Sequence, residues 1–232
     1  MGKGREKSAM KRNGNEALRA ISLDPLFLSM VFVGMLLLSG CASTLDRAAY
    51  HYSRGNDQYD KGQYDQAISD YTEAIKINPN LAGAYNNRGL TYSHDKGDYD
   101  RAISDFSKAI EINPRNADAY VNRANAYTQG KGQYDLAIAD YTKAIEIAPR
   151  LAMAYYNRGI SYEGKGEYDQ AVADFSKAIE LDPTNAEPYS NRGVVYMVKL
   201  GNRKKACSDW KRACELGDCR NYNLAKGRGD CK

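Results

Sequence analysis

Between residues 48 and 218 the apolar positions follow a helical period. In Tyr64-Asp65-Gln66-Ala67-Ile68-Ser69-Asp70-Tyr71-Thr72-Glu73-Ala74-Ile75, counting from Ala67, apolar residues fall at i, i+4, i+7 and i+8. That spacing gathers them on one face of a helix with 3.6 residues per turn. A second helical unit lies upstream of each such stretch, as in Ala84-Tyr85-Asn86-Asn87-Arg88-Gly89-Leu90-Thr91-Tyr92 and Ala154-Tyr155-Tyr156-Asn157-Arg158-Gly159-Ile160-Ser161-Tyr162. Gly62, Gly97, Gly132, Gly166 and Gly201 separate the two units, and Pro79, Pro114, Pro149 and Pro183 follow the second. Glycine ends a helix at little cost because it accepts positive φ, and proline cannot continue one. The pattern therefore predicts helix, tight turn, helix, stop, repeated along the chain.

The repetition is regular. Ala67, Ala102, Ala137, Ala171 and Ala206 are spaced by 35, 35, 34 and 35 residues, and the prolines keep the same step. One helix pair cannot bury its own apolar face, so pairs must stack on their neighbours. The period, the aromatic–Gly–Tyr first helix, the Ala–aromatic–Ala second helix and the closing proline resemble the tetratricopeptide repeat. That resemblance implies an all-α fold, a right-handed superhelix of five helix-turn-helix repeats at 48–81, 82–116, 117–151, 152–185 and 186–218, with a capping helix near 219–228 inside a cysteine-containing C-terminal segment, 219–232. Ala124 stands where the other repeats carry Gly55, Gly89, Gly159 and Gly193. The additional residue in repeats two, three and five is expected to lengthen the turn between helices. His51 and Gln58 replace tyrosines in the first repeat, where one neighbour is missing.

The recurring side chains have structural readings beside functional ones. Tyr85, Tyr120, Tyr155 and Tyr189, with Tyr92, Tyr127, Tyr162 and Tyr196, fall in the core slots of the family, so packing is favoured over ligand stacking. Arg54, Arg88, Arg123, Arg158 and Arg192 stand where the family carries leucine, and Asp70, Asp105, Asp140, Asp174 and Asp209 precede the second-helix aromatic. An Arg–Asp ladder is favoured over an anion site. In the family the first helices line a concave groove. On that face lie Asn87, Leu90, Val121, Asn122, Tyr156, Asn157, Ile160, Asn191 and Val194, amides able to bond a peptide backbone among apolar side chains. They fit a peptide-binding groove and fit packing between first helices equally well. The groove slots hold no lysine or arginine, unlike those of relatives that clamp a peptide carboxylate.

Ahead of the repeats lies an address. Residues 1–24 hold six Lys/Arg, and the thirteen residues Leu26 to Leu38 are almost all apolar. At about 1.5 Å per residue they reach only about 20 Å, short of a hydrocarbon core about 30 Å thick. A signal-peptide core fits better than a membrane span. Leu38-Ser39-Gly40-Cys41 resembles the lipobox of bacterial lipoproteins, which implies a signal peptide over 1–40, with Met1 or Met10 as its start, and lipidation of Cys41, followed by a short linker, 41–47. Several acyl chains hold a protein stably to a membrane without spanning it. Ala42, rather than Asp, implies the outer membrane, facing the periplasm, in a two-membrane cell.

Cys207, Cys214, Cys219 and Cys231 close the chain and look like the cysteine-bearing terminal repeat of exported members of the family. An oxidising compartment and the absence of a paired C-x-x-C set favour disulfides over zinc. Cys207 and Cys214 lie seven residues apart on one helix, about 10 Å, too far to bond each other, so a cap folding back pairs Cys214 with Cys219 and Cys207 with Cys231.

Charge narrows the partners. The net charge is +4, but residues 25–198 hold 17 basic against 22 acidic residues, which is the wrong sign for a nucleic-acid-binding body. The two histidines stand in no motif, and no phosphate loop, G-x-S-x-G elbow or cofactor motif appears. The sequence thus points to a membrane-anchored adaptor that binds other proteins or peptide segments, without enzymatic activity or cofactor. The rival is a cell-wall-associated enzyme or small-molecule binder on the same solenoid.

Overall fold

The computed structural model describes residues 44–231. Asp46–Lys232 form one compact unit. The chain runs through α1 (44–60), α2 (Tyr64–Ile77), α3 (Ala82–Asp95), α4 (Tyr99–Ile112), α5 (Ala117–Lys131), α6 (Tyr134–Ile147), α7 (Ala152–Lys165), α8 (Tyr168–Leu181), α9 (Ala186–Val194), α10 (Arg203–Glu215) and α11 (Arg220–Gly227). No strand occurs among the described residues. Residues 44–47, expected as linker, already belong to α1. The signal peptide and Cys41 lie outside the described residues.

Each helix pair closes by setting an aromatic ring into a notch. Tyr71, Phe106, Tyr141 and Phe175 are almost wholly buried, flanked by fully buried alanines that let the helices approach. The notch is glycine at Gly89, where an added Cβ would lie 2.8 Å from the Phe106 ring. Trp210 fills the same place in the fifth repeat, and its indole N–H donates to the Ser190 carbonyl at 3.1 Å.

The additional residue of repeats two, three and five is absorbed in three different ways. In repeats one and four the turn closes through Gln63 N to Gln58 O and Glu167 N to Tyr162 O, both 2.8 Å, five residues apart. In the longer repeats the closing bonds span six residues: Asp98 N to Tyr92 O, Gln133 N to Tyr127 O and Asn202 N to Tyr196 O. Repeat two has three residues, 96–98, between its helices against two, 166–167, in repeat four. Repeat three extends α5 to 15 residues, and repeat five takes the residue into a π-helical turn, Val195–Lys199. A π turn, closed by bonds from i to i+5, is a way for a helix to accept one residue more. The glycine keeps positive φ in every case, 59° at Gly132 and 85° at Gly166.

The Arg–Asp ladder is present in all five repeats and joins repeats as well as helices. Arg123 donates Nε to Asp140 Oδ2 at 2.7 Å and Nη2 to Asp140 Oδ1 at 2.8 Å, and its Nη1 reaches Ser107 Oγ of the preceding repeat at 2.9 Å. Arg88, Arg158 and Arg192 repeat this with Thr72, Thr142 and Ser176. The guanidiniums also lie over the rings of Tyr85, Tyr120, Tyr155 and Tyr189. Arg54 has no preceding repeat, bonds Tyr50 instead, and its side chain is 46% exposed. At the other end the Ser/Thr slot is occupied by Lys211, so the ladder stops.

Beyond it α11 folds back as a cap. Asn221 Nδ2 bonds Ser190 Oγ at 3.0 Å, and Ala225 and Cys231 pack with Trp210. Cys207 pairs with Cys231 and Cys214 with Cys219, at Cα separations of 5.5 and 3.9 Å.

Candidate protein-binding groove

The first helices of successive repeats touch. α3 lies against α5 and α5 against α7, and side-chain bonds also join α1 to α3 and α7 to α9. This is the side that the tetratricopeptide-repeat resemblance makes the inner, concave one.

A ribbon of amides and phenols runs along that side from repeat to repeat. Asn87 Nδ2 donates to Asn56 Oδ1 at 2.8 Å and to Tyr52 Oη at 3.2 Å, and Tyr71 Oη donates to the same Asn56 oxygen. Asn122 Nδ2 bonds Asn86 Oδ1 and Asn157 Nδ2 bonds Asn125 Oδ1, each at 3.0 Å. Asn191 Nδ2 bonds Tyr156 Oη at 3.0 Å. The recurrent asparagines therefore use one N–H to register neighbouring first helices. The side-chain carbonyl oxygens of Asn122, Asn157 and Asn191 take no part in these bonds, and all three residues are half-buried. An acceptor left in this state suits the N–H of an extended segment laid along the groove.

The apolar members divide. Val121 is 9% exposed and belongs to the core with Tyr120, Ala124 and Tyr141, so it supports the groove from beneath rather than lining it. Leu90 packs against Phe106, and Val194 against Trp210. Ile160 packs on the cluster of Ala171, Phe175 and Val195, and the Tyr156 ring tilts onto Phe175 at 5.9 Å. Burial, and then the nearby Glu187 charge, push the Tyr156 phenol up to about 12, so it is neutral at physiological pH. Tyr156 is half-buried, and its free side walls a cavity of about 240 Å³ together with Leu151, Met153 and Pro188. Met153 is 51% exposed. A second cavity, of about 190 Å³, is lined by Asn56, Tyr59, Asp60, Tyr71, Asn87 and Leu90.

Met153, Asn125, Asn56, Tyr59 and Asp60 escaped the sequence reading. A faint signal existed for two of them. Met153 is the apolar residue at a slot occupied elsewhere by Gly83, Asp118 and Glu187, and Asn125 is polar where Leu90, Ile160 and Val194 are apolar. No group of His, Cys, Asp and Glu side chains among the described residues is placed to hold a metal ion.

Sequence profiles described as "TPR repeat" match residues 55–94, 93–130 and 131–166, and one described as "Tetratricopeptide repeat" matches 152–185. The chain belongs to the tetratricopeptide-repeat family. Among solved structures, that of MamA superposes with a TM-score of 0.67 at 27% identity, covering 79% of this chain and 95% of MamA. YrrB, described as a TPR protein with an unusual peptide-binding site, superposes with a TM-score of 0.65 at 25% identity, covering 76% of this chain and 90% of YrrB. Hsp70-Hsp90 organizing protein 1 of Arabidopsis thaliana is 50% identical over 40 residues, which are 17% of this chain and 7% of that protein. The match spans only that small part of the plant protein. These likenesses establish the TPR superhelix, whose inner face is the surface described above.

Proposed function

We propose that this TPR protein is a membrane-tethered adaptor that holds an extended or helical segment of another protein in its concave groove. The observation that carries the reading is the pairing of half-used amides with an adjoining apolar cavity, at Asn122, Asn157 and Tyr156. The amides offer acceptors to a backbone, and the Met153–Tyr156 cavity offers a seat to one apolar side chain. Rigid aromatic anchors lose little entropy on binding. The likeness to a peptide-binding TPR protein supports the same reading. The two groove cavities, of about 190 and 240 Å³, lie below the about 300–1,000 Å³ usual for small-molecule sites, which weighs against a small molecule as the occupant of the groove.

The tether we propose is acylation of Cys41 after removal of residues 1–40, which places the solenoid at the periplasmic face of the outer membrane for a role in cell-envelope assembly. The basic flank, apolar core and lipobox-like Leu38–Cys41 support it. Two cysteine pairs at bonding distance accord with an oxidising compartment.

A photo-crosslinking residue at Met153 should capture a defined protein in intact cells, whereas one at the exposed Lys143 on α6 should not. Equal capture from both positions removes the groove reading. Replacing Cys41 by alanine should release the chain from membranes and abolish acyl labelling, and retention on the membrane would reject the anchor.

A further inference from the structure

We infer that the first-repeat end of the groove seats a lysine or arginine side chain of the bound segment, in the cavity formed by Asn56, Tyr59, Asp60, Tyr71, Asn87 and Leu90. This rests on the groove reading and specifies the chemistry of the partner. With about 190 Å³ the cavity holds one side chain rather than a free ligand.

Its lining is that of a cation site. Asp60 is exposed, and no ion pair or hydrogen bond engages its carboxylate among the described residues. Elsewhere the recurrent acids are already used: Asp70, Asp105, Asp140, Asp174 and Asp209 each hold an arginine. Lys61 follows Asp60 in the turn after α1, and no ion pair joins the two. Lys96 is drawn away to Asp65 at 2.7 Å, and Arg54 and His51 are both bound to Asp70. The cavity therefore has an unmatched negative charge with no cation among the described residues directed at it.

Two aromatic rings complete it. Tyr59 is held by an edge contact with Tyr64 at 5.5 Å, and Tyr71 by its bond to Asn56. A cation over a tyrosine face within about 6 Å of the ring centre is attracted by the ring quadrupole. Burial raises both phenols first. Nearby acids, Asp95 and then Asp60 at Tyr59, and Asp60 at Tyr71, add to it, which keeps the rings neutral and registers the negative field there. Asn87 Oδ1 accepts a single bond, from Asn86, and has a lone pair left for an ammonium or guanidinium N–H. Leu90 offers an apolar wall for the methylene stem, the way long basic side chains bury their carbon chains while keeping the charge solvated. A glutamate there would meet Asp60, and a leucine would strip water from Asp60 without replacing it.

The opposite end of the groove has the same sign. Glu187 and Glu163 both lie near Tyr156; Lys199 counters Glu163, which leaves Glu187 as the acid facing the ring. A segment with basic residues around an apolar anchor complements both ends.

The test pans a random twelve-residue peptide library against the full chain in detergent, then measures the selected peptides by fluorescence anisotropy. Retained peptides should be enriched in lysine or arginine. Asp60→Asn should weaken them up to about fivefold and raised salt should weaken wild-type binding, with unfolding unchanged because no partner engages Asp60 among the described residues. Peptides that bind Asp60→Asn as tightly as wild type, yet are lost on Met153→Asp, would overturn the cation site and leave the groove reading standing. No enrichment, or binding indifferent to both substitutions, would overturn both.

Discussion

Arg123 and Asp140 form a two-bonded fork at 2.7 and 2.8 Å, and the third nitrogen of the same guanidinium is taken by Ser107 of the previous repeat. Asp140 is 7% exposed. Removing one member of such a pair strands the other, at a cost of about 3–5 kcal/mol, while replacing both by apolar residues is far milder. Arg123→Leu and Asp140→Leu should each lower the melting temperature strongly, and the double variant should recover much of the loss. A double-mutant cycle by thermal unfolding checks this; additive losses would mean that the pair is not coupled. Arg123→Lys should also be costly, since a lysine cannot make the fork and reach Ser107.

Gly89→Ala and Ala124→Gly should both destabilise, for different reasons. A methyl at Gly89 lies 2.8 Å from Phe106, a buried ring with little room to move, so overpacking of about 1–3 kcal/mol is expected. Ala124→Gly loses about 1 kcal/mol of helix propensity and leaves a small gap beside Tyr141. Denaturant midpoints of the two variants measure the difference.

Stability should respond to pH at Glu163. Burial holds its carboxyl above the ordinary 4.5, with Lys199 opposing. The unfolded chain therefore loses that proton first, and as pH rises above 4.5 ionisation in the folded state costs stability. Glu163→Gln should melt higher than wild type at pH 7, with the advantage vanishing below 4.5. Asp70 has the opposite sign. The Arg54 bond holds it below its ordinary 3.8, so its contribution is present above that value and is lost as pH falls further. Melting curves of wild type and Glu163→Gln across pH 3–8 decide the sign.

The two disulfides should differ in worth. Cys207–Cys231 closes 24 residues and Cys214–Cys219 only five. Loop-closure entropy gives about 3.5 kcal/mol for the first and about 2 for the second. Cys207→Ser with Cys231→Ser should lower the melting temperature more than loss of the inner pair. Non-reduced peptide mapping should return both pairings.

Tyr156 and Met153 separate packing from binding. Tyr156 rests on Phe175 and accepts a bond from Asn191, so Tyr156→Ala should lower both thermal stability and partner capture. Met153 is half-exposed, so Met153→Ala should leave the melting temperature nearly unchanged. If Met153 lines the binding site, its loss should weaken capture by about 1 kcal/mol or more. Capture indifferent to Met153→Ala would move the site elsewhere.

The five repeats, the helix pairing within each and the Arg–Asp ladder were all legible in the sequence, because they depend on local periodicity and on residues that recur at a fixed step. Helix needs only the 3.6-residue period and its stop signals, and Arg88 or Arg123 announces its partner by recurring with it. What tertiary structure alone decided is non-recurrent or divided between repeats. The same additional residue is accommodated by a three-residue turn at 96–98, a longer α5 and a π turn at Val195–Lys199, three outcomes of one insertion that the sequence period does not distinguish. The asparagines looked free in the sequence, yet each gives an N–H to a residue more than thirty positions away, as Asn157 does to Asn125. The cavity at Asp60 joins side chains of α1, α2 and α3, which no spacing along the chain reveals. Sequence period fixes which face of a helix is apolar, but only the stacking angle between repeats fixes which polar atoms are consumed and which remain for a partner.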